Sequence, residues 1–229
     1  MIYLSASSLA DYLICSQRYK FRIYDSEHSE RNLGDSRQNI GIAVHRILES
    51  SWKKRDNNLI SSVLNDLEIK EPNSVKMINI CLNNFYKNVS QLLNNDDLKE
   101  HSFKIKYKPN IYIVGRMDRI TTDGNIFDWK TSPKIPETID NDIQFIIYHW
   151  AYKKMFNKEP RNVFYSAILR NKLIKFSPNT KYYSELIDNI LQKVIKEIEN
   201  KNFYKEGIFK GNVCDSCAFR KICLEEGRT

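Results

Sequence analysis

Two runs rich in β-branched and aromatic residues, 111–121 and 125–131, flank the triplet Thr122-Asp123-Gly124. Such runs around an Asp-Gly signal predict a β-hairpin. If 122–124 form a three-residue loop, Gly124 takes the left-handed position that glycine adopts at least cost. Thr121 then faces Asn125, and counting back along both strands sets Asp118 opposite Asp128. A two-residue turn would instead set Asp128 opposite Arg119 and send the two acids to opposite faces.

Like charges directly opposite each other destabilise a sheet, because their side chains lie only about 5 Å apart. A divalent cation between the carboxylates removes the conflict, and hard cations such as magnesium take oxygen ligands. Lys130 is two residues beyond Asp128 and projects from the same face. Two acids and a lysine on one face suit phosphodiester hydrolysis: the metal polarises the phosphoryl oxygen and generates hydroxide, while the lysine orients it or neutralises developing charge. The plainer reading is a solvated ladder of paired charges.

The chain has 229 residues, 41% hydrophobic and 12% aromatic, enough for a packed core and too much for a disordered chain. No apolar run approaches the roughly 20 residues that cross a bilayer. The N-terminal Met-Ile-Tyr-Leu-Ser-Ala-Ser-Ser lacks a basic region followed by an apolar one, so a cytoplasmic protein is expected. A formal charge of +8 suits a polyanionic partner. The basic residues form no block, so any groove must be assembled in three dimensions.

Apolar spacing predicts helices over 8–24, capped by Ser5 or Ser7, and over 40–56, with Val44, Ile47, Leu48 and Ser51 inward. Residues 25–39 are polar and read as a mobile loop. Helices over 59–67 and 74–93 are separated by Glu71-Pro72-Asn73. Strands follow over 102–107, 111–121 and 125–131, then a helix over 140–156 and a hairpin of 163–170 with 173–176. Residues 181–200 carry a core-facing stripe from Leu186 to Ile198.

Three further groups bear chemistry. His45 lies on the second helix with Glu49 one turn later, which could orient its imidazole or simply be exposed. Gln144 and Tyr148 are four apart on one helix face and reach one groove. Cys214, Cys217 and Cys223 form a compact trio, with Cys15 far upstream. In a cytosolic chain that spacing suggests a metal before disulfides, and four thiolates suit zinc or an iron–sulfur cluster alike. Cys81, in an apolar helix, reads as a buried free thiol.

Gly115-Arg-Met-Asp118, ten residues before Asp128-Trp-Lys130, resembles the second and third motifs of the PD-(D/E)XK nuclease superfamily, in its RecB-like branch. Asp128 stands where many members carry Glu. Gly41-x-x-x-His45 resembles the first motif, and Gln144-x-x-x-Tyr148 the motif that follows the active site. The resemblance implies that His45, Asp118 and Asp128 bind Mg2+ or Mn2+, with a backbone carbonyl near Trp129 completing the shell. It implies that Lys130 positions the attacking water, and that Gln144 and Tyr148 hold the DNA strand or support the lysine. One early cysteine with a late Cys-x2-Cys-x5-Cys resembles the 4Fe–4S staple of CRISPR-associated adaptation nucleases and of AddB nuclease domains. That resemblance makes Cys15, Cys214, Cys217 and Cys223 the ligands of a structural cluster. The matching motifs follow the family's order and span Cys15 to Cys223.

The expected fold is α/β: a mixed central β-sheet flanked by helices, with a helical N-terminal segment and a cysteine-rich tail. One nuclease domain is expected, with 1–100 mainly helical, 101–180 holding the catalytic sheet and helix, and 181–229 the last helix and tail. The expected function is metal-dependent hydrolysis of DNA, as an exonuclease or end-trimming enzyme on single strands or strand ends. CRISPR adaptation, recombinational repair and phage DNA processing are all open to it. No Gly-x4-Gly-Lys-Ser/Thr phosphate loop occurs, so unwinding would need a helicase partner; an integrase partner suits the CRISPR reading. Two rivals remain: a non-catalytic DNA-binding subunit, and a zinc-stapled interaction module.

Overall fold

The structure is a computed structural model and describes residues 1–24, 36–177, 180–205, 213–215 and 217–226. In chain order the first elements are β1 (Ile2–Leu4), α1 (Ala6–Ile14), α2 (Ser16–Tyr24), α3 (Ser36–Ser51), α4 (Asn57–Asp66) and α5 (Pro72–Asn88). Then come β2 (Leu98–Lys108), β3 (Ile111–Ile120), β4 (Asn125–Lys130), α6 (Ile143–Phe156), β5 (Asn162–Ala167) and β6 (Lys172–Phe176). The last two are α7 (Thr180–Glu199) and α8 (Arg220–Glu225). Two compact units share these elements, one from residues 34–103 and 116–178, the other from 1–33, 104–115 and 179–229.

The first unit holds a mixed sheet. β3 pairs antiparallel with β4, β4 runs parallel to β5, and β5 pairs antiparallel with β6. One face is covered by α3, α4 and α5, whose Val44, Ile47, Val63, Leu82 and Phe85 pack with Phe127 and Trp129 of β4. The Phe85 and Trp129 rings meet edge to face, centroids 5.2 Å apart. Alternation along β4 turns Asp128 and Lys130 to the other face, where α6 lies. α6 is buried continuously from Phe145 to Tyr152. It begins at Asp142, whose carboxylate caps the Gln144 N–H, and ends at Asn157 in the left-handed region. This is the expected mixed sheet flanked by helices.

The hairpin forms with the three-residue loop. The Thr121 N–H donates to Asn125 O and the Gly124 N–H to Thr121 O, with Gly124 at φ +88°. The register runs Ile120↔Ile126 and Arg119↔Phe127, so one step further brings Asp118 level with Asp128. Arg119 goes to the opposite face. There it ion-pairs with buried Asp97 at 3.1 Å and lies over the Trp52 ring. Asp97 also accepts the Thr122 N–H, tying the turn to the segment before β2. Cys81 is fully buried and unpaired, and burial pushes its thiol up to about 12.

In the second unit β1 runs parallel to the start of β3, Ile2 beside Ile111. Ser5 caps α1 in a capping box with Ser8. The single helix expected over 8–24 is two, because Cys15 is extended (φ −163°, ψ 113°). The chain after α7 docks at this break: the Tyr204 N–H donates to Ser16 Oγ at 2.7 Å, and Cys15 Sγ lies 3.5 Å from Tyr204 O. α7 buries Ile187, Leu191, Val194, Ile195 and Ile198, the stripe its spacing predicts. Phe219 packs on Phe21, and Glu226 binds Gln17 and Lys20.

Elsewhere the spacing misplaces ends. α3 begins at Ser36 inside the stretch expected to be a loop, and the remainder, 25–35, lies outside the described residues. The strand expected over 163–170 ends at Ala167 and gives way to a 3-10 turn. Among the described residues no helix is long and apolar enough to cross a membrane.

Candidate active site

The site lies wholly in the first unit and is built on neighbouring strands. The turn at Gly124 sets the β3–β4 register, so Asp118 and Asp128 come level, and Lys130 follows Asp128 on the same face. Asp118 Oδ2 accepts the Trp129 N–H at 2.6 Å, which fixes that carboxylate across the end of the ladder. Asp128 Oδ1 accepts from Gln144 Nε2 at 3.0 Å, and Asp128 Oδ2 lies 2.7 Å from Lys130 Nζ. Gln144 Oε1 in turn accepts from Lys130 Nζ at 2.9 Å. Tyr148 is buried; its hydroxyl donates to Arg116 O at 2.7 Å, receives Gln144 Nε2 at 2.8 Å, and lies 3.3 Å from Asp128.

α3 brings His45 to the same strand ends. Its Nε2 is 3.0 Å from Trp129 O, while Nδ1 is 3.4 Å from Asp118 Oδ1 and 3.5 Å from Glu100 Oε1. Gly41, one turn earlier, passes close to Thr131, where a Cβ would stand 3.5 Å from the threonine hydroxyl.

The electrostatics follow from burial and crowding. Burial pushes the Asp128 carboxyl up to about 6, with Lys130 opposing and Asp118 reinforcing. Burial would lower the His45 imidazole, but hydrogen bonds to Asp118 and Glu100 outweigh it and raise the group to about 10. Burial also disfavours the Lys130 ammonium, and Asp128 and Asp118 overcome that to raise it. Three acids, Glu100, Asp118 and Asp128, are thus held among three cationic side chains, His45, Lys130 and Arg116.

The residues present fit a divalent cation. Ligand atoms of His45, Glu100 and Asp118 all lie within 4.8 Å of one another. Glu100 Oε2 and Asp128 Oδ2 are buried without a hydrogen-bond donor; the nearby Arg116 and Lys130 nitrogens make ion pairs outside hydrogen-bond alignment. A mixed imidazole and carboxylate set accommodates manganese and magnesium.

The structure therefore groups His45, Asp118, Asp128, Lys130, Gln144 and Tyr148. Spacing alone missed Glu100, which stands where Glu49 was a candidate; Glu49 is exposed on α3. Glu100 sits on β2 with φ +42°, a left-handed residue inside a strand, and its far oxygen lies 2.9 Å from Arg116 Nε. The available signal was an acid about a strand's length before the Asn110 turn, which returns the chain toward Asp118.

The four remaining candidates lie in the second unit. Cys15, Cys214, Cys217 and Cys223 form no disulfide. Burial raises the Cys223 thiol; Lys205 opposes this, and the Cys15, Cys217 and Cys214 thiols add to it, so the four lie within electrostatic reach. The Lys205 ammonium also donates to Cys223 O at 2.6 Å.

A mixed sheet flanked by helices, with acids on adjacent antiparallel strands, defines a restriction-endonuclease-like fold. The family model of the PD-(D/E)XK nuclease superfamily matches residues 3–224, and the chain belongs to that superfamily. The crystal structure of a Eubacterium rectale protein provisionally named an exonuclease is similar in fold, with a TM-score of 0.64 at 13% identity. That match covers 94% of this chain and 86% of the other. No curated protein sequence matches this chain.

Proposed function

We propose that this nuclease-superfamily chain is a metal-dependent deoxyribonuclease that trims single-stranded DNA or strand ends. The carrying observation is the convergence of His45, Asp118 and Asp128 with the Lys130 ammonium held beside them. When bound, a divalent cation such as Mg2+ or Mn2+ supplies Lewis acidity to a phosphoryl oxygen and acidifies water. His45, Asp118 and Asp128 would hold it; the Trp129 carbonyl, 3.0 Å from His45 Nε2, fixes the ring whose Nδ1 meets Asp118. Lys130 carries the remaining chemistry: fixed by Gln144 and Asp128, its Nζ orients the attacking water and neutralises charge developing on the phosphate. Gln144 and Tyr148 support this lysine and its acid.

The whole chain is read as one nuclease domain, and the net charge of +8 supports a polyanionic substrate. The name of the Eubacterium rectale neighbour favours exonuclease action. CRISPR adaptation, repair and phage DNA processing remain the candidate settings, with an integrase or helicase as partner. Cys15, Cys214, Cys217 and Cys223 are proposed to hold a structural 4Fe–4S cluster that ties the tail to the break between α1 and α2. Anaerobically purified protein should then be brown, with iron and sulfide in equal amounts; stoichiometric zinc in colourless protein would replace the cluster by a zinc site.

End-labelled single-stranded DNA incubated with Mn2+ tests the activity. Wild-type protein should shorten the strand, EDTA should stop it, and Asp118→Ala should leave the DNA intact. DNA that stays whole with wild-type protein but is retained in a mobility shift would assign a binding subunit instead.

A further inference from the structure

We infer that Glu100 is itself a ligand of the cation site, and that Arg116 competes with the cation for it. This rests on the nuclease reading and adds to it a ligand from a third strand, together with a control on metal affinity.

The geometry is that of a ligand held in reserve. Glu100 Oε1 is 3.5 Å from His45 Nδ1, and all three ligand atoms of His45, Glu100 and Asp118 fall within 4.8 Å of one another. Adjacent ligands on one magnesium- or manganese-sized ion, bonded at about 2.1 Å, stand about 3 Å apart. Closing the observed gaps therefore needs only small side-chain rotations. The Glu100 side chain is only 9% exposed, and its Oε2 has no hydrogen-bond donor. A buried carboxylate in that condition calls for a positive charge.

Arg116 meets that need from outside. Its Nε stands 2.9 Å from Oε2, but the arginine side chain is 61% exposed. Its long side chain can swing into water, whereas Glu100 has little freedom to follow. Glu100 would lie at the edge of an ion held by His45 and Asp118, and turning its carboxylate onto that ion would weaken its hold on the guanidinium. Arg116 is two residues before Asp118, so the arginine set loose stands at the rim of the site, where a strand phosphate would pass. Glu100 thus links cation loading to the freeing of a phosphate-binding arginine.

Mn2+ binding to the full chain, followed without DNA by electron paramagnetic resonance of the free ion, tests this. Glu100→Gln should weaken binding by about tenfold or more, the scale at which metal-site residues act. Arg116→Ala should tighten it severalfold, and the double variant should bind like Glu100→Gln. A merely structural Glu100–Arg116 pair predicts that both single variants change unfolding in EDTA alike and neither changes Mn2+ affinity; that result overturns the inference. Should Glu100→Gln fail to fold, Glu100→Asp, too short to reach the ion, must weaken binding in its place. Wild-type affinity in that variant, or unchanged affinity in Arg116→Ala, is equally contrary. If wild-type protein binds Mn2+ yet cuts no DNA, the nuclease reading fails while this test still decides the ligand; absence of Mn2+ binding to the wild type sinks both.

Discussion

The Lys130 ammonium donates to Gln144 Oε1 at 2.9 Å, and the other end of the same amide donates to Asp128 Oδ1 at 3.0 Å. Gln144 therefore bridges the lysine ammonium and the acid, which also meet directly at 2.7 Å, and fixes both. Gln144→Ala should lower single-turnover cleavage by about 100-fold, the cost of misplacing a catalytic group by an ångström. Mn2+ affinity should hardly move, because Gln144 touches the ligand and does not replace it. Equal losses in binding and cleavage would place Gln144 in the metal shell instead.

Metal binding should release protons. His45 is raised from 6.5 to about 10 in the metal-free protein, so it is charged at neutral pH and must lose a proton to become a ligand. Its charged pairing with Asp118 and Glu100 adds stability fully present below pH 6.5 and lost as pH rises through about 10. Apparent cation affinity runs the other way, weakening about tenfold for each unit of acidification while this one proton is exchanged. Calorimetry of Mn2+ binding at pH 7.5 in buffers of different ionisation enthalpy measures this. Close to one proton should be released per ion, and His45→Ala should remove that release.

The hairpin turn is held from behind by a buried ion pair. Arg119 and Asp97 side chains are 3% and 0% exposed, and burial lowers the arginine pKa against the pull of Asp97. Removing one member of such a pair costs about 3–5 kcal/mol because the other charge stays buried. Asp97→Asn should lose stability of that order in denaturant unfolding, and an effect under 1 kcal/mol would show the pair to be dispensable.

Much of this was legible in the sequence, because turns and strand alternation are local. Thr-Asp-Gly sets the loop, the loop sets the register, and the register brings Asp118 level with Asp128. The α7 stripe was visible for the same reason. Glu100 was not: its place beside His45 depends on a left-handed residue within β2, which no residue pattern announces. The break at Cys15 was equally hidden, since the Tyr204 segment that hydrogen-bonds across it is 189 positions away. α6 is buried continuously from Phe145 to Tyr152, so apolar periodicity could say little about which face would meet the sheet.

A side chain at Gly124 should strain the turn. Its φ is +88°, and an added Cβ would stand 3.0 Å from the Tyr152 hydroxyl. Gly124→Ala should cost about 1–2 kcal/mol from the backbone alone. Chemical denaturation reads that cost, and Gly124→Ala combined with Tyr152→Phe should recover part of it if the hydroxyl contributes.

The central claim is that Lys130 acts on a phosphodiester beside a cation held by its neighbours. Single-turnover cleavage of end-labelled single-stranded DNA by Mn2+-loaded Lys130→Met, set against the wild type with Mn2+ occupancy measured in the same samples, tests it most directly. The account predicts full occupancy in both proteins and a loss of cleavage of about 100- to 1,000-fold in the variant. Equal cleavage by the two, or a wild-type protein that carries Mn2+ and leaves the DNA whole, would contradict it.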